Sequence, residues 1–171
     1  MNTPPHRRTL LALTLLVPVT SLVQAHGNQP HGQHGHRGPV IKEQKPWGIA
    51  AEPREARRTI EILMTDDMRF SPSHLDVRQG ETLRLRAVNR GQVMHEIVIG
   101  TRQELEVHAE MMKKHPNMEH DEPYMAHVEP GQRGDIVWTF NRPGDFEFAC
   151  LIPGHFEAGM RGTIRVTPRN T

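Results

Sequence analysis

From Arg58 onward, apolar and polar residues alternate in short runs, a period of two that marks half-buried strands. Thr59-Ile60-Glu61-Ile62-Leu63-Met64 shows it first, Leu75-Asp76-Val77-Arg78 repeats it, and Gln79-Gly80 then supplies a turn. Thr82 to Val88 alternates over most of its length and stops at Asn89-Arg90-Gly91. Val93 to Ile99, Asp135 to Phe140, Asp145 to Cys150 and Thr163 to Val166 complete the set. Short strands separated by Gly, Pro and Asn turns predict an all-β domain, an antiparallel sandwich or barrel, over residues 56–168. About 110 residues suffice for one such core without disulfide staples. No internal repeat is evident.

One segment has a different period. Arg102 to Lys114 is rich in Glu, Leu, Ala, Met and Lys, and Pro116 follows it, so the spacing predicts a short helical insertion. His115 to His127 reads HPNMEHDEPYMAH and is expected to be an ordered or semi-ordered loop, which brings the insertion to about residues 101–127.

Outside the domain the texture changes again. Residues 1–25 have a basic start at Arg7 and Arg8, an apolar run from Leu10 to Val23 and Val23-Gln24-Ala25 as a cleavage site, the layout of a secretory signal peptide. The apolar run, interrupted by Pro18, is too short for a membrane span, and no span is expected in the mature chain. The mature protein is therefore expected in the periplasm. Residues 26–55 read as a disordered arm and linker, with Trp47 its one anchor. Taking away Arg7 and Arg8 turns 21 basic residues into 19 against 20 acidic ones, a balance unsuited to nucleic acid.

The chemistry concentrates around the only cysteine. Cys150, His155 and Met160 lie in one loop with the spacing C-x4-H-x4-M, and Pro153-Gly154 shapes its bend. A copper ion cycling between Cu(I) and Cu(II) takes a thiolate and two imidazoles in a plane with a thioether on the axis. His95, on a strand that would lie alongside, supplies the second imidazole. Taken singly, each residue has a plainer role: a small buried thiol, a loop histidine, a core methionine. A nucleophilic Cys–His pair is the other sharp option, but no orienting Asn or Asp is evident and a free thiolate outside the cell would oxidise. Four ligands leave no open position for a substrate, so the chain is expected not to be an enzyme.

At these residues the chain resembles the cupredoxins. Cys150-Leu151-Ile152-Pro153-Gly154-His155 is similar to the azurin-type C-x-x-P-G-H ligand loop. Phe70-Ser71-Pro72, Gln79-Gly80-Glu81-Thr82 and Asn89-Arg90-Gly91 before His95 resemble the family's opening strands. The resemblance covers about residues 58–166 and implies a Greek-key sandwich with His95, Cys150, His155 and Met160 as copper ligands. Met160 falls one residue later than in azurin. Many electron-transfer cupredoxins place Asn directly after the first ligand histidine to brace the ligand loop, and here that position is Glu96. Leu151, after the cysteine, has no hydroxyl to offer, so the hydrogen bonds behind the ligands are replaced and the centre is expected to differ from that of an ordinary electron shuttle.

Further soft donors lie outside the loop. Met111, Met112, His115, Met118, His120, Met125 and His127 fall within seventeen residues, and His26, His31, His34 and His36 within eleven. Packing on the sandwich would account for Met111 and Met112 as well as metal contact does. For the polar-loop residues and the His-rich arm, a second, labile copper site is expected. With these clusters the chain resembles the CopI-type copper-tolerance cupredoxins, which implies capture, buffering or redox handling of periplasmic copper. The alternative is an electron carrier for a periplasmic redox enzyme. Expected partners are the copper ion and a periplasmic redox protein or a copper-export component.

Overall fold

The computed structural model describes residues 40–116, 118 and 121–169. Among these residues eleven strands form two sheets, and one α-helix lies across the second. In chain order the strands are β1 (Gln44–Lys45), β2 (Gly48–Ala50), β3 (Arg58–Thr65), β4 (Arg69–Ser71), β5 (His74–Arg78) and β6 (Glu81–Asn89). After β7 (His95–Gly100) comes the helix α1 (Arg102–Lys114), then β8 (Met125–Val128), β9 (Arg133–Phe140), β10 (Gly144–Ala149) and β11 (Arg161–Thr167). The first sheet runs β1-β2-β9-β6-β3-β4 and the second β5-β11-β10-β7-β8. Pairing is not wholly antiparallel as the turn pattern suggests: β3 lies parallel to β6, and β5 to β11.

The alternation explains the packing. In β6, Leu83, Leu85 and Ala87 turn inward and are fully buried, while Arg84 and Arg86 turn out. Arg86 grips Asp135 of β9 through Nε and a terminal nitrogen, both at 2.9 Å. The main core gathers Ile62, Met64, Leu83, Leu85, Ile97, Ile99, Trp138, Phe140 and Phe148 from both sheets.

The predicted helix forms at the expected residues. Thr101 and Glu104 make a reciprocal capping box at its start, and Lys113 and Lys114 stand in the last turn. Leu105, Ala109 and Met112 fall on one face and pack over Val98, Ala149 and Leu151, forming a second core. Strand β7 is therefore buried at every position, with Ile97 and Ile99 facing the sandwich and Val98 facing the helix.

Two segments differ from the expectation. Within the stretch read as linker, β1 and β2 pair and β2 extends the first sheet along β9, with Ile49 opposite Thr139. Trp47 is the anchor: it is buried and accepts a hydrogen bond from Trp138 Nε1 on its carbonyl. Strands of two and three residues are too short to show a period. Residues 125–127, read as loop, belong to β8 (Met125–Val128) at the edge of the second sheet, where pairing to β7 decides the conformation.

Candidate metal centre

His95 opens β7, and Cys150 follows immediately after β10, which pairs with β7. The alternation that sends Phe146 and Phe148 into the sandwich sends Cys150 there too. The chain then turns through 151–159 before β11 begins. His155 N–H donates to the Ile152 carbonyl at 2.9 Å, and Ala158 N–H to Gly154 at 3.1 Å. Gly154 sits at φ +91°, a left-handed bend that a side chain would strain. Two bonds close the loop: Cys150 N–H to the Met160 carbonyl and Met160 N–H to the His155 carbonyl, each 3.1 Å. Met160 is fully buried in the same core as Cys150.

The ligating atoms of His95, Cys150 and His155 all lie within 4.8 Å of one another. Cys150 Sγ is 3.4 Å from His155 Nδ1, and the two imidazole centroids are 5.0 Å apart. His95 and Cys150 are fully buried, and His155 is half-buried at the edge. Burial pushes the Cys150 thiol up to about 12, reinforced by the Glu96 carboxylate and opposed by the backbone N–H groups of Glu96 and Ile152. His155 is lowered, chiefly by burial and then by His95 beside it.

The groups behind these side chains fix their orientation. His95 Nε2 is 3.1 Å from Asp66 Oδ1, which places its proton there. His95 Nδ1 is buried and has no hydrogen-bond partner, so a lone pair is left facing the cluster. Asp66 is held in turn by Gln92 N–H at 2.7 Å and Val93 N–H at 3.5 Å, the first being the main cause of its lowered pKa. A Cβ at Gly91 would overlap that carboxylate, so the close approach requires glycine. Asn89, fully buried, donates to the carbonyls of Val93 and Val128 and accepts from Gly91 N–H, fixing the loop before His95. An orphaned buried imidazole nitrogen beside a thiol, and a buried thioether in the same core, are the donors a copper ion takes.

The brace takes another form. Glu96 Oε1 accepts from Leu151 N–H at 2.7 Å, its Oε2 lies 3.0 Å from His127 Nε2, and its own N–H points at Cys150 Sγ at 3.5 Å. A backbone amide replaces the hydroxyl that Leu151 lacks, so the ligand loop is still tied to β7. Sequence reasoning also missed Asp66, which the parallel pairing of β3 with β6 carries to His95 from 29 positions away. No local motif marks it.

The second cluster is not one assembly. Met112 and Met125 are buried in the core beneath α1, Met111 and Met118 are exposed, and His115 caps the helix. His127 faces Glu96. His26, His31, His34, His36 and His120 lie outside the described residues. Among the described residues, His95, Cys150 and His155 form the one group of His, Cys, Asp or Glu side chains close enough for a metal.

Comparison with known proteins agrees with this centre. The family described as copper binding proteins, plastocyanin/azurin family, matches residues 58–167. A protein named copper-resistant cuproprotein CopI from Rubrivivax gelatinosus is 42% identical, covering 94% of this chain and 96% of its own. Its namesake from Pseudomonas aeruginosa is 31% identical over 95% of this chain and 98% of its own. Among solved structures, auracyanin B superposes with a TM-score of 0.59 at 23% identity, covering 72% of this chain and 97% of its own. Fold, clustered donors and family match agree: the chain belongs to the copper-binding proteins of the plastocyanin/azurin family.

Proposed function

We propose that this is an exported copper-tolerance protein, directed to the periplasm by residues 1–25, that captures, buffers or cycles one copper ion on His95, Cys150, His155 and Met160. The observation that carries this reading is the 42% identity, along nearly the whole chain, to a protein named for copper resistance. Copper on these donors supplies one-electron exchange between Cu(I) and Cu(II). The residues do the rest. Asp66 keeps His95 in the tautomer with Nδ1 free, and Cys150 gives up its proton on binding. Cys150 and Met160 share the buried core with Phe70 and Phe148, and His155 is the partly exposed member of the set. Exposed Met111, Met118 and His115, with the His-rich arm, supply weaker contacts that bring copper in. Binding without turnover is the role these groups support.

The test has two parts. The purified protein is expected to bind copper with a thiolate-to-Cu(II) charge-transfer band that Cys150→Ala abolishes. A strain lacking the gene is expected to become copper-sensitive and to be rescued by the wild type but not by Cys150→Ala. A wild type without the band would remove the site; unchanged copper sensitivity would remove the tolerance role.

A second reading, an electron carrier for a periplasmic redox enzyme, draws on exposed Val93 and Met94 in the loop next to His95, an apolar rim suited to a partner. Fast electron exchange with such an enzyme, unaffected by removing residues 26–39, would favour it.

A further inference from the structure

Two carboxylates are buried among the described residues, and they are treated differently. Glu147 is met by the Arg102 guanidinium at 2.6 Å. Glu96, only 1% exposed, is met by no lysine or arginine. Its two oxygens divide between the Leu151 N–H and the His127 ring, which stands opposite it in the β7–β8 register. Leu151 follows Cys150, and the Glu96 backbone N–H points at the Cys150 sulfur. One residue therefore holds the thiol from its backbone and the next peptide from its side chain.

A neutral amide could accept the same Leu151 N–H and donate toward His127. Holding the loop thus does not require a charge, and burying one is costly unless it is paired. What the charge adds is a field at the neighbouring sulfur, which the Glu96 backbone N–H approaches to 3.5 Å in the same buried interior. In a dry interior such a field is weakly screened. A negative charge favours the more positive of two metal states, and does so most where the His127 ring beside it is neutral.

We propose that Glu96 is a positioning residue with two separable actions: it ties the cysteine end of the ligand loop to β7, and its charge favours Cu(II) over Cu(I) at the centre. This rests on copper being held by Cys150 and its neighbours. It deepens the tolerance reading by separating this centre from carriers braced by a neutral asparagine.

The test compares wild type, Glu96→Gln and Glu96→Ala by spectroelectrochemistry of the copper-loaded protein and by amide hydrogen exchange of the metal-free protein. Glu96→Gln keeps the accepting oxygen. It is expected to retain the charge-transfer band and a protected Leu151 amide, while the ratio of Cu(I) to Cu(II) affinity rises about tenfold, equal to about 59 mV for one electron. Glu96→Ala is expected to lose the Leu151 protection and to shift the band as well. A Glu96→Gln potential equal to that of wild type overturns the charge role. A Leu151 amide that exchanges in metal-free wild type as fast as an exposed loop amide overturns the clamp, and needs no variant to fold. A wild type with no charge-transfer band instead removes the copper site itself, a failure distinct from either.

Discussion

A thiol with a pKa pushed to about 12 is a poor nucleophile and a poor target for oxidation, and it becomes a ligand only when a metal displaces its proton. That has a consequence for the metal-free protein. The folded value lies above the ordinary 9.0, so the folded state keeps the proton while the unfolded chain loses it. The associated stability is complete below about pH 9 and drains away as pH rises toward 12, a loss on the order of 4 kcal/mol. Chemical denaturation at pH 8 and pH 10.5 should show a steeper fall for wild type than for Cys150→Ala. Behind the imidazole, Asp66→Ala should weaken copper binding about 10- to 100-fold, as loss of a ligand's hydrogen-bond partner does elsewhere, read by competition with a chelator. Cys150, His155 and Met160 were legible because one loop carries all three, and His95 because it stands on an apolar strand expected alongside that loop. Asp66 was not, since only the β3–β6 pairing brings it near. The identity of Glu96 was visible, but its grip on a backbone amide was not.

At the scale of elements, α1 separates two methionines that the sequence left equivalent. Met112 is 5% exposed beneath the helix, whereas Met111 is 40% exposed. Met112→Ala should cost about 2–5 kcal/mol in thermal or denaturant unfolding, and Met111→Ala less than about 0.5 kcal/mol. An equal, small effect at both sites would mean that the helix is not seated as described. Strand β8 makes a pH prediction. The hydrogen bond that His127 donates to the Glu96 carboxylate raises its pKa above the ordinary 6.5, so the folded state favours the imidazolium. The stability that this contributes is complete below about pH 6.5 and is lost as pH rises through the raised value. Melting of the metal-free protein between pH 5.5 and 8 should show that decline, and His127→Gln should flatten it. The long strands β3, β6 and β9 were readable from their alternation. Strand β7 lacks alternation because the sandwich covers one face and the helix the other. Strands β1, β2, β4 and β8 have only two to four residues, and neighbouring backbone sets their conformation.

For the whole molecule, the open matter is where the stable body begins. The family match starts at residue 58 and the alternating pattern at about the same place, which together suggest a body without the preceding strands. The packing argues for an earlier start. Trp47 lies 5.5 Å from the Tyr124 ring and 6.5 Å from the Trp138 ring, centroid to centroid, and so closes one end of the main core. Strand β2 continues the first sheet beyond β9, and Ala51 N–H donates to the Val137 carbonyl at 3.0 Å. Losing a buried tryptophan of this kind costs about 3–5 kcal/mol, a large part of the stability of a single domain. A chain starting at residue 52 should therefore unfold at markedly lower denaturant than one starting at residue 40, and Trp47→Ala in the longer chain should account for most of the difference. The metal centre is built from β7, β10 and the loop before β11, none of which pairs with β1 or β2. The shorter chain, where still folded, should keep the charge-transfer band unchanged in position. A band that moves with the truncation would instead tie residues 40–51 to the copper site.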